Sequence, residues 1–457
     1  MGFTPITANA FEKDIEYVLK SEHQNTKALS YNVILHTVDS DISITLLESI
    51  EVLRDYVNNI TDYIIVNFKI GLGDYVYDIL PYSDNMEMTI KVNWYKKTIL
   101  FRYKFVLTNL IDTASSVYNS IPKETLNQQE LASVEGQCVD RLVEVMRTTV
   151  CDGIYNYSTV DKIMKTSLAE KLSEITIEGE PIEIGIDGYR VNIHPSDNEE
   201  VYRHIDVPFG TNIYNLPSYL QNTKYGVYKG DLGTYQQTTI NTLLDIDKLK
   251  SSTCYYTYPL YDNVRYDTDS GKKLMILSHP TTKYSHVEHS YIIDGDIIKI
   301  VSSGNLKNLG SAENNVINKG DVVIKLNPNK ITGTIDNVTE DGVTNIPTDN
   351  ITAITDRVRS DGVNNVRYAE GVTNVYKHVS EVASNNYSIF QLQWDYSNHE
   401  LLYPGMPVGL LYLDKDLGLI LIKGTLIFTY TKYDSPRNNM STLLNIMMEN
   451  PKSKVSN

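Results

Sequence analysis

The stretch Tyr63-Ile64-Ile65-Val66-Asn67-Phe68-Lys69-Ile70-Gly71, followed by Met86-Glu87-Met88-Thr89-Ile90-Lys91-Val92-Asn93-Trp94, decides the fold class. Ile64, Val66, Phe68 and Ile70 alternate with Ile65, Asn67 and Lys69 at the two-residue period of a half-buried strand. Met86, Met88, Ile90, Val92 and Trp94 alternate in the same way with Glu87, Thr89, Lys91 and Asn93. Between the two runs, Gly71, Gly73, Pro81 and Asp84-Asn85 supply turn residues. A third strand is expected with Phe101, Tyr103, Phe105 and Leu107 on one face, so residues 1–125 read as an N-terminal β domain.

Working outward, the period changes near 126. Leu131, Val134, Cys138, Leu142 and Val145 fall three or four apart and predict a helix. A second helix is expected from Val160, Met164, Leu168 and Leu172, with Ser158 and Asp161 spaced as an N-terminal cap. Short strands near 182–193 and a Tyr-, Gly- and Pro-rich segment complete an α+β middle domain over 126–265. Strand signals return over 266–457, at Leu274–Leu277, Tyr291–Val301 and Val408–Leu413. They end in a hairpin turned by Asp414-Lys415-Asp416-Leu417-Gly418, after which Leu426, Phe428 and Tyr430 alternate with Thr425, Ile427, Thr429 and Thr431. The expected class is α+β, mainly β, with two β-barrel or sandwich domains flanking the middle domain.

A polar insertion at about 305–385 interrupts the C-terminal domain. It repeats a short phrase as Asp341-Gly342-Val343-Thr344-Asn345, Asp361-Gly362-Val363-Asn364-Asn365 and Glu370-Gly371-Val372-Thr373-Asn374. The unequal spacing reads as similar turns and not as a solenoid.

The chain has 457 residues, 41% of them hydrophobic, and a formal net charge of -16. That length calls for more than one domain. No apolar run approaches the ~20 residues needed to span a bilayer, and the first residues lack the pattern of an export or lipidation signal. The acidic balance argues against sequence-specific nucleic-acid binding, in which Lys and Arg must neutralise phosphates. Cys138, Cys151 and Cys254 are too few and too scattered for a disulfide framework or a four-ligand zinc site. The 34 Tyr against 8 Phe suit either half-buried sheet faces or protein interfaces.

Two groups could carry chemistry. His279, His286 and His289 with Glu288 are the densest set of potential metal ligands, but they fall in a loop-and-strand segment without fixed ligand geometry. Glu178, Glu180 and Glu183 are the nearest approach to a glycosidase carboxylate pair, and read better as a solvated acidic edge. Gly71-Leu72-Gly73 lacks the third glycine of a dinucleotide fingerprint, and no phosphate loop, nucleophile elbow or His-Glu-x-x-His helix is present. The expectation is therefore no catalytic, cofactor-binding or metal residue.

Three phrases together resemble the hub proteins of phage and contractile-tail baseplates. They are Tyr63–Gly71 continuing to Ile79-Leu80-Pro81-Tyr82-Ser83-Asp84-Asn85-Met86; Tyr219-Leu220-Gln221 with Tyr225-Gly226-Val227-Tyr228 and Tyr256-Thr257-Tyr258-Pro259-Leu260-Tyr261; and Leu402-Tyr403-Pro404-Gly405-Met406-Pro407-Val408. The resemblance implies two domains similar to a tail-tube subunit, joined through the middle domain and assembled as a trimer in a virion made in the host cytoplasm. It also implies the tail tube protein, the central spike protein and other baseplate subunits as partners. A receptor- or glycan-binding tail protein is the competing expectation, motivated by the tyrosines and the insertion; a cell-wall hydrolase, resting on the carboxylates, is third.

Overall fold

The computed structural model describes residues 8–20, 29–94, 97–108, 121–173, 176–177, 180–181, 189–223, 225–240, 251–278, 291–302, 307–311, 387–414, 418–437 and 439–449. The fold is α+β and mainly β, with an α+β unit between two β units.

The N-terminal β unit contains β1 (Ser30–His36), β2 (Asp41–Ile44), β3 (Leu46–Asp55), β4 (Tyr63–Gly71), β5 (Met86–Trp94), β6 (Lys97–Leu107) and β7 (Leu131–Val139). They lie in the order β3-β4-β7-β6-β5-β1-β2, every pair antiparallel. The alternation read from sequence sets the faces: Ile64, Val66, Phe68, Met86, Met88, Ile90, Val92, Phe101 and Phe105 enter one core.

β7 corrects the helix expected from Leu131 to Val145. Ala132, Val134, Gly136 and Cys138 also alternate with Ser133, Glu135 and Gln137, so the segment satisfies both periods. The open edge of β4 decides between them, because pairing Gly71–Ile64 with Leu131–Cys138 supplies backbone partners and buries that alternate face. Gly136 is required there, since a Cβ would lie 2.1 Å from the Phe105 ring. The helix itself runs from Arg141 to Thr148.

The middle unit holds β8 (Gly153–Ser158), β9 (Thr176–Ile177), β10 (Glu180–Pro181), β11 (Tyr189–Ile193), β12 (Tyr202–Val207), β13 (Leu232–Ile240) and β14 (Ser251–Pro259). The helices Val160–Ser173 and Leu216–Asn222 belong to it. Met164 and Leu168 of the first and Leu216 and Leu220 of the second share a core with Ile205 and Tyr255. Thr159, and not Ser158, starts the first helix: its carbonyl accepts the Ile163 N–H at 3.2 Å and its hydroxyl donates to Asp161 Oδ1 at 2.6 Å.

The C-terminal β unit contains β15 (Lys273–Ser278), β16 (Tyr291–Asp294), β17 (Ile297–Ser302), β18 (Lys307–Ser311), β19 (Tyr387–Asp395), β20 (Pro407–Asp414), β21 (Gly418–Asp434) and β22 (Asn439–Glu449). β20 and β21 form the expected hairpin, with Asp414 opposite Gly418. β21 then continues past the end of β20. Its first half pairs with β20 through Thr425, its second half pairs with β3 from Phe428 to Asp434, and β22 lines its other edge. The two β units are thus one continuous sheet joined through a single long strand.

A bulge between Leu426 and Phe428 makes this possible. It breaks the alternation of Leu426, Phe428 and Tyr430, so that Leu426 is buried before it and Thr429, Thr431 and Tyr433 after it. The helix Ala8–Lys20 also departs from its place in sequence, packing Phe11, Ile15 and Val18 against Leu277, Ile292, Val301 and Leu411 of the C-terminal unit.

Candidate functional site

The most unusual chemistry in the described residues is a buried charge cluster where the three units meet. Arg54 projects from β3 with its side chain 3% exposed, Asp62 precedes β4, and His399 and Glu400 lie on a single 3-10 turn between β19 and β20. Arg54 Nε donates to Asp62 Oδ2 at 3.1 Å, Nη1 donates to the His399 carbonyl at 3.2 Å, and Nη2 lies 3.7 Å from Glu400 Oε1. His399 Nε2 is 2.9 Å from the same Glu400 oxygen. The turn is set by Asn398, whose side chain accepts the Glu400 N–H. Above it, Tyr31 of β1 stacks parallel to the His399 ring with centroids 6.4 Å apart.

The middle unit reaches this cluster through one strand. Tyr235 of β13 donates its hydroxyl to Asp62 Oδ1 at 2.8 Å and meets Tyr56 edge-on. The next two residues continue the attachment: the Gln236 N–H donates to the Ile60 carbonyl and its side chain to Asp140, while Gln237 donates to the Leu402 carbonyl. Tyr258 of β14 donates to the Tyr56 carbonyl, and Arg265 to the Gly405 carbonyl. Tyr235→Phe keeps the ring packing and removes one hydrogen bond to a buried carboxylate, so a loss of about 1.5–3 kcal/mol is expected. Urea denaturation followed at the first unfolding midpoint measures it.

Electrostatically the cluster is built to stay fixed. Burial opposes the Arg54 charge, but Asp62 and Glu400 overcome it and raise the guanidinium pKa still further. Burial pushes the Tyr235 and Tyr103 hydroxyls up, and the Asp62 charge pushes them higher; Tyr31 is raised by burial and then by Glu400. These phenols stay protonated at neutral pH and serve as donors or packing, not as bases. The cavity beside the cluster, between Arg54, Tyr103 and His399, is about 20 Å³. That admits one water, whereas small-molecule sites measure some 300–1,000 Å³. The arrangement can hold three units together but cannot admit a substrate.

The residues singled out from sequence do not converge here. His279, His286, Glu288 and His289 lie outside the described residues, as do Glu178, Glu183 and the repeated phrases; Glu180 is on β10. Among the described residues, no group of three or more His, Cys, Asp or Glu could hold a metal, and no helix is long and apolar enough to cross a membrane. Cys138, Cys151 and Cys254 are buried free thiols, and burial pushes Cys151 up to about 11. Gly71 and Gly73 make room for the helix Lys123–Gln129: a Cβ on either would lie within 3 Å of Asn127 Oδ1, which accepts the Asp74 N–H.

No family model and no curated protein matches the sequence. Among solved structures, the chain is similar to an Escherichia coli component of the type VI secretion system, itself structurally similar to the T4 bacteriophage tail proteins gp27 and gp5. That match has 9% identity and a TM-score of 0.43 over 92% of this chain and 77% of the other. The fold is also similar to phage tail proteins. The 43 kDa tail protein of prophage MuSo2 from Shewanella oneidensis matches at 8% identity and TM-score 0.40, over 91% and 96% of the two chains. A tail protein from Neisseria meningitidis MC58 matches at 10% identity and TM-score 0.41, over 92% and 96%. These are likenesses of chain path, and no residue-by-residue correspondence follows from them.

Proposed function

We propose that this chain is a non-catalytic building block of a large assembly, the hub subunit of a phage-like tail baseplate. The observation that carries the reading is the shared strand β21, which fuses two β units into one sheet whose outward face runs unbroken across both and mixes polar residues with a row of Leu443, Tyr430, Leu53 and Tyr63. Along that face lie Gln391, Gln393, Ser441, Asn445, Lys432, Glu51, Asn67, Lys69 and Glu135, all at least partly exposed.

Several charges on this face are already matched. Glu51 accepts from Tyr430 at 2.7 Å and from Lys432 at 2.6 Å, and Lys69 pairs with Glu48. Asp395 accepts from Gln393 and Ser441. The amides, hydroxyls and paired charges of this wall offer phosphate little grip. That is the chemistry required of a channel through which DNA must slide, since phosphate affinity comes from unpaired Lys and Arg. The net charge of -16 acts in the same direction.

In this reading, three chains form a ring. Two β units in each give six faces toward a hexameric tail tube, while the other side keeps threefold symmetry for a central spike. No turnover is involved, and the chain acts by shape within the virion. The tyrosines that motivated a glycan-binding alternative are in good part internal: Tyr56, Tyr75, Tyr225, Tyr228, Tyr235 and Tyr255 are fully buried.

Light scattering on the purified chain, alone and mixed with the tube and spike proteins of its own particle, tests the proposal. The expected mass is three times that of the 51.8 kDa chain, at the latest once those partners are added. A monomer that binds neither overturns it.

A further inference from the structure

Single exposed apolar side chains are ordinary on a protein surface, whereas a concentration of them marks a contact. Of the fourteen large hydrophobic residues that are exposed among the described residues, five fall on two short segments of the middle unit: Val150, Ile154, Tyr157, Val201 and Phe209. These segments form one ribbon. β8 and β12 pair antiparallel from Gly153–Val207 to Ser158–Tyr202, and the Val150–Asn212 bridge extends them. Tyr155, Ile205 and Val207 turn inward to the core of the unit. Ile154 and Asn156 therefore share the outer face with their cross-strand partners Asp206 and His204.

Two local features show that the sequence maintains this surface at a cost. Phe209 is 94% exposed on the turn Pro208–Thr211, closed by the Thr211 N–H to the Pro208 carbonyl and by Gly210 at φ +84°. This is the φ that a type II turn demands at its third position, and it leaves Phe209 at the apex. Tyr157 is 69% exposed and has a left-handed backbone, φ +49°, which costs a non-glycine residue about 1–2 kcal/mol. An aromatic held out on a tight turn and another held in a strained conformation are costs that burial against a partner can offset.

The charges around the ribbon select the partner. Asp152 and Asp206 are exposed on it and Glu199 and Glu200 just before it, against Arg203 on β12 and Arg147 beside the Val150–Asn212 bridge, with His204 next to them. A second copy meeting it patch to patch would set acid against acid. We infer that the β8–β12 ribbon, with Phe209 as its knob, docks a different protein that presents an apolar pocket rimmed by Lys or Arg.

This rests on the assembly reading, and the test separates the two. Hydrogen exchange is followed over 150–158 and 201–210 in the isolated chain, in its self-assembled ring, and in the native particle. The amides are expected to exchange at equal rates in the first two and at least tenfold more slowly in the particle. The double variant Ile154→Thr/Phe209→Ser, exposed at both positions, should melt within about 1 °C of the parent, form the same ring, and incorporate into particles at least tenfold less well, with stronger dependence on salt in the parent. Protection already complete in the ring would make the occupant a second copy and overturn the inference. Equal exchange in all three states, or normal incorporation of the variant, would also overturn it while leaving the ring intact. Absence of any ring or incorporation by the parent would instead overturn the assembly reading and the inference with it.

Discussion

Arg54→Met is expected to destabilise the folded chain by about 3–5 kcal/mol, because it leaves the carboxylates of Asp62 and Glu400 buried without their cation. The methionine fills much of the same volume, so the loss comes from charge and not from a cavity. Tyr235 still donates to Asp62 and His399 still lies against Glu400, but neither replaces the three contacts that the guanidinium makes. The check is a rescue. Adding Asp62→Asn and Glu400→Gln to Arg54→Met removes the uncompensated charges while keeping acceptors for Tyr235 and His399, and should restore at least half of the lost stability in thermal denaturation. A triple variant no more stable than the single one would mean that Arg54 acts through packing alone. The cluster's place gives the result a wider reach, since it joins β3, the turn after β19 and β13. Loosening it should free the middle unit from both β units and expose the β12–β13 connection to limited proteolysis before the β units unfold.

How much of this was legible beforehand follows from sequence distance. Three strands of the N-terminal unit, β4, β5 and β6, could be read because each carries its own alternation, as from Ile64 to Ile70 and from Met86 to Val92, and the same holds for the β20–β21 hairpin, whereas β1, β2 and β3 were not read. β7 could not be separated from a helix, because Leu131, Val134 and Cys138 fit one period while Ala132, Val134, Gly136 and Cys138 fit the other; only the open edge of β4 settles it. The bulge at Ile427 has no local signature, and without it β21 would turn Phe428 and Tyr430 inward in place of Thr429, Thr431 and Tyr433. The charge cluster was the least legible part. Arg54, Asp62, Tyr235 and Glu400 are each unremarkable in their own segments, and the site exists only once hundreds of residues of chain bring them together. Only two hints were available: the adjacency of His399 and Glu400, and the third resembling phrase, which begins at Leu402, two residues beyond Glu400.

That phrase contains the position with the second large expected effect. Gly405→Ala is expected to cost about 3 kcal/mol or more, from two sources that add. The first is backbone strain, since Gly405 has φ +66° and a left-handed alanine loses about 1–2 kcal/mol. The second is overlap: a Cβ there would stand 2.2 Å from Cδ2 and 2.3 Å from Cγ of Tyr258. A Cβ built on Gly233, the cross-strand partner of Tyr258, would also lie 2.2 Å from Cε2 of the same ring, so a second backbone crowds the ring and limits its retreat. Its hydroxyl is fixed on the Tyr56 carbonyl at 2.8 Å, so any shift breaks a buried hydrogen bond between the middle and N-terminal units. Overpacking of this kind costs roughly 1–3 kcal/mol beyond the strain. Gly210→Ala supplies the control, since Gly210 also has positive φ, +84°, but has nothing within 4 Å of a built Cβ. It should lose only the backbone component. A fall in unfolding midpoint at least twice as large for Gly405→Ala as for Gly210→Ala would confirm that Tyr258 is held tightly against Gly405. Equal falls would show that the ring yields, and that the seam between the units is softer than its hydrogen bonds imply.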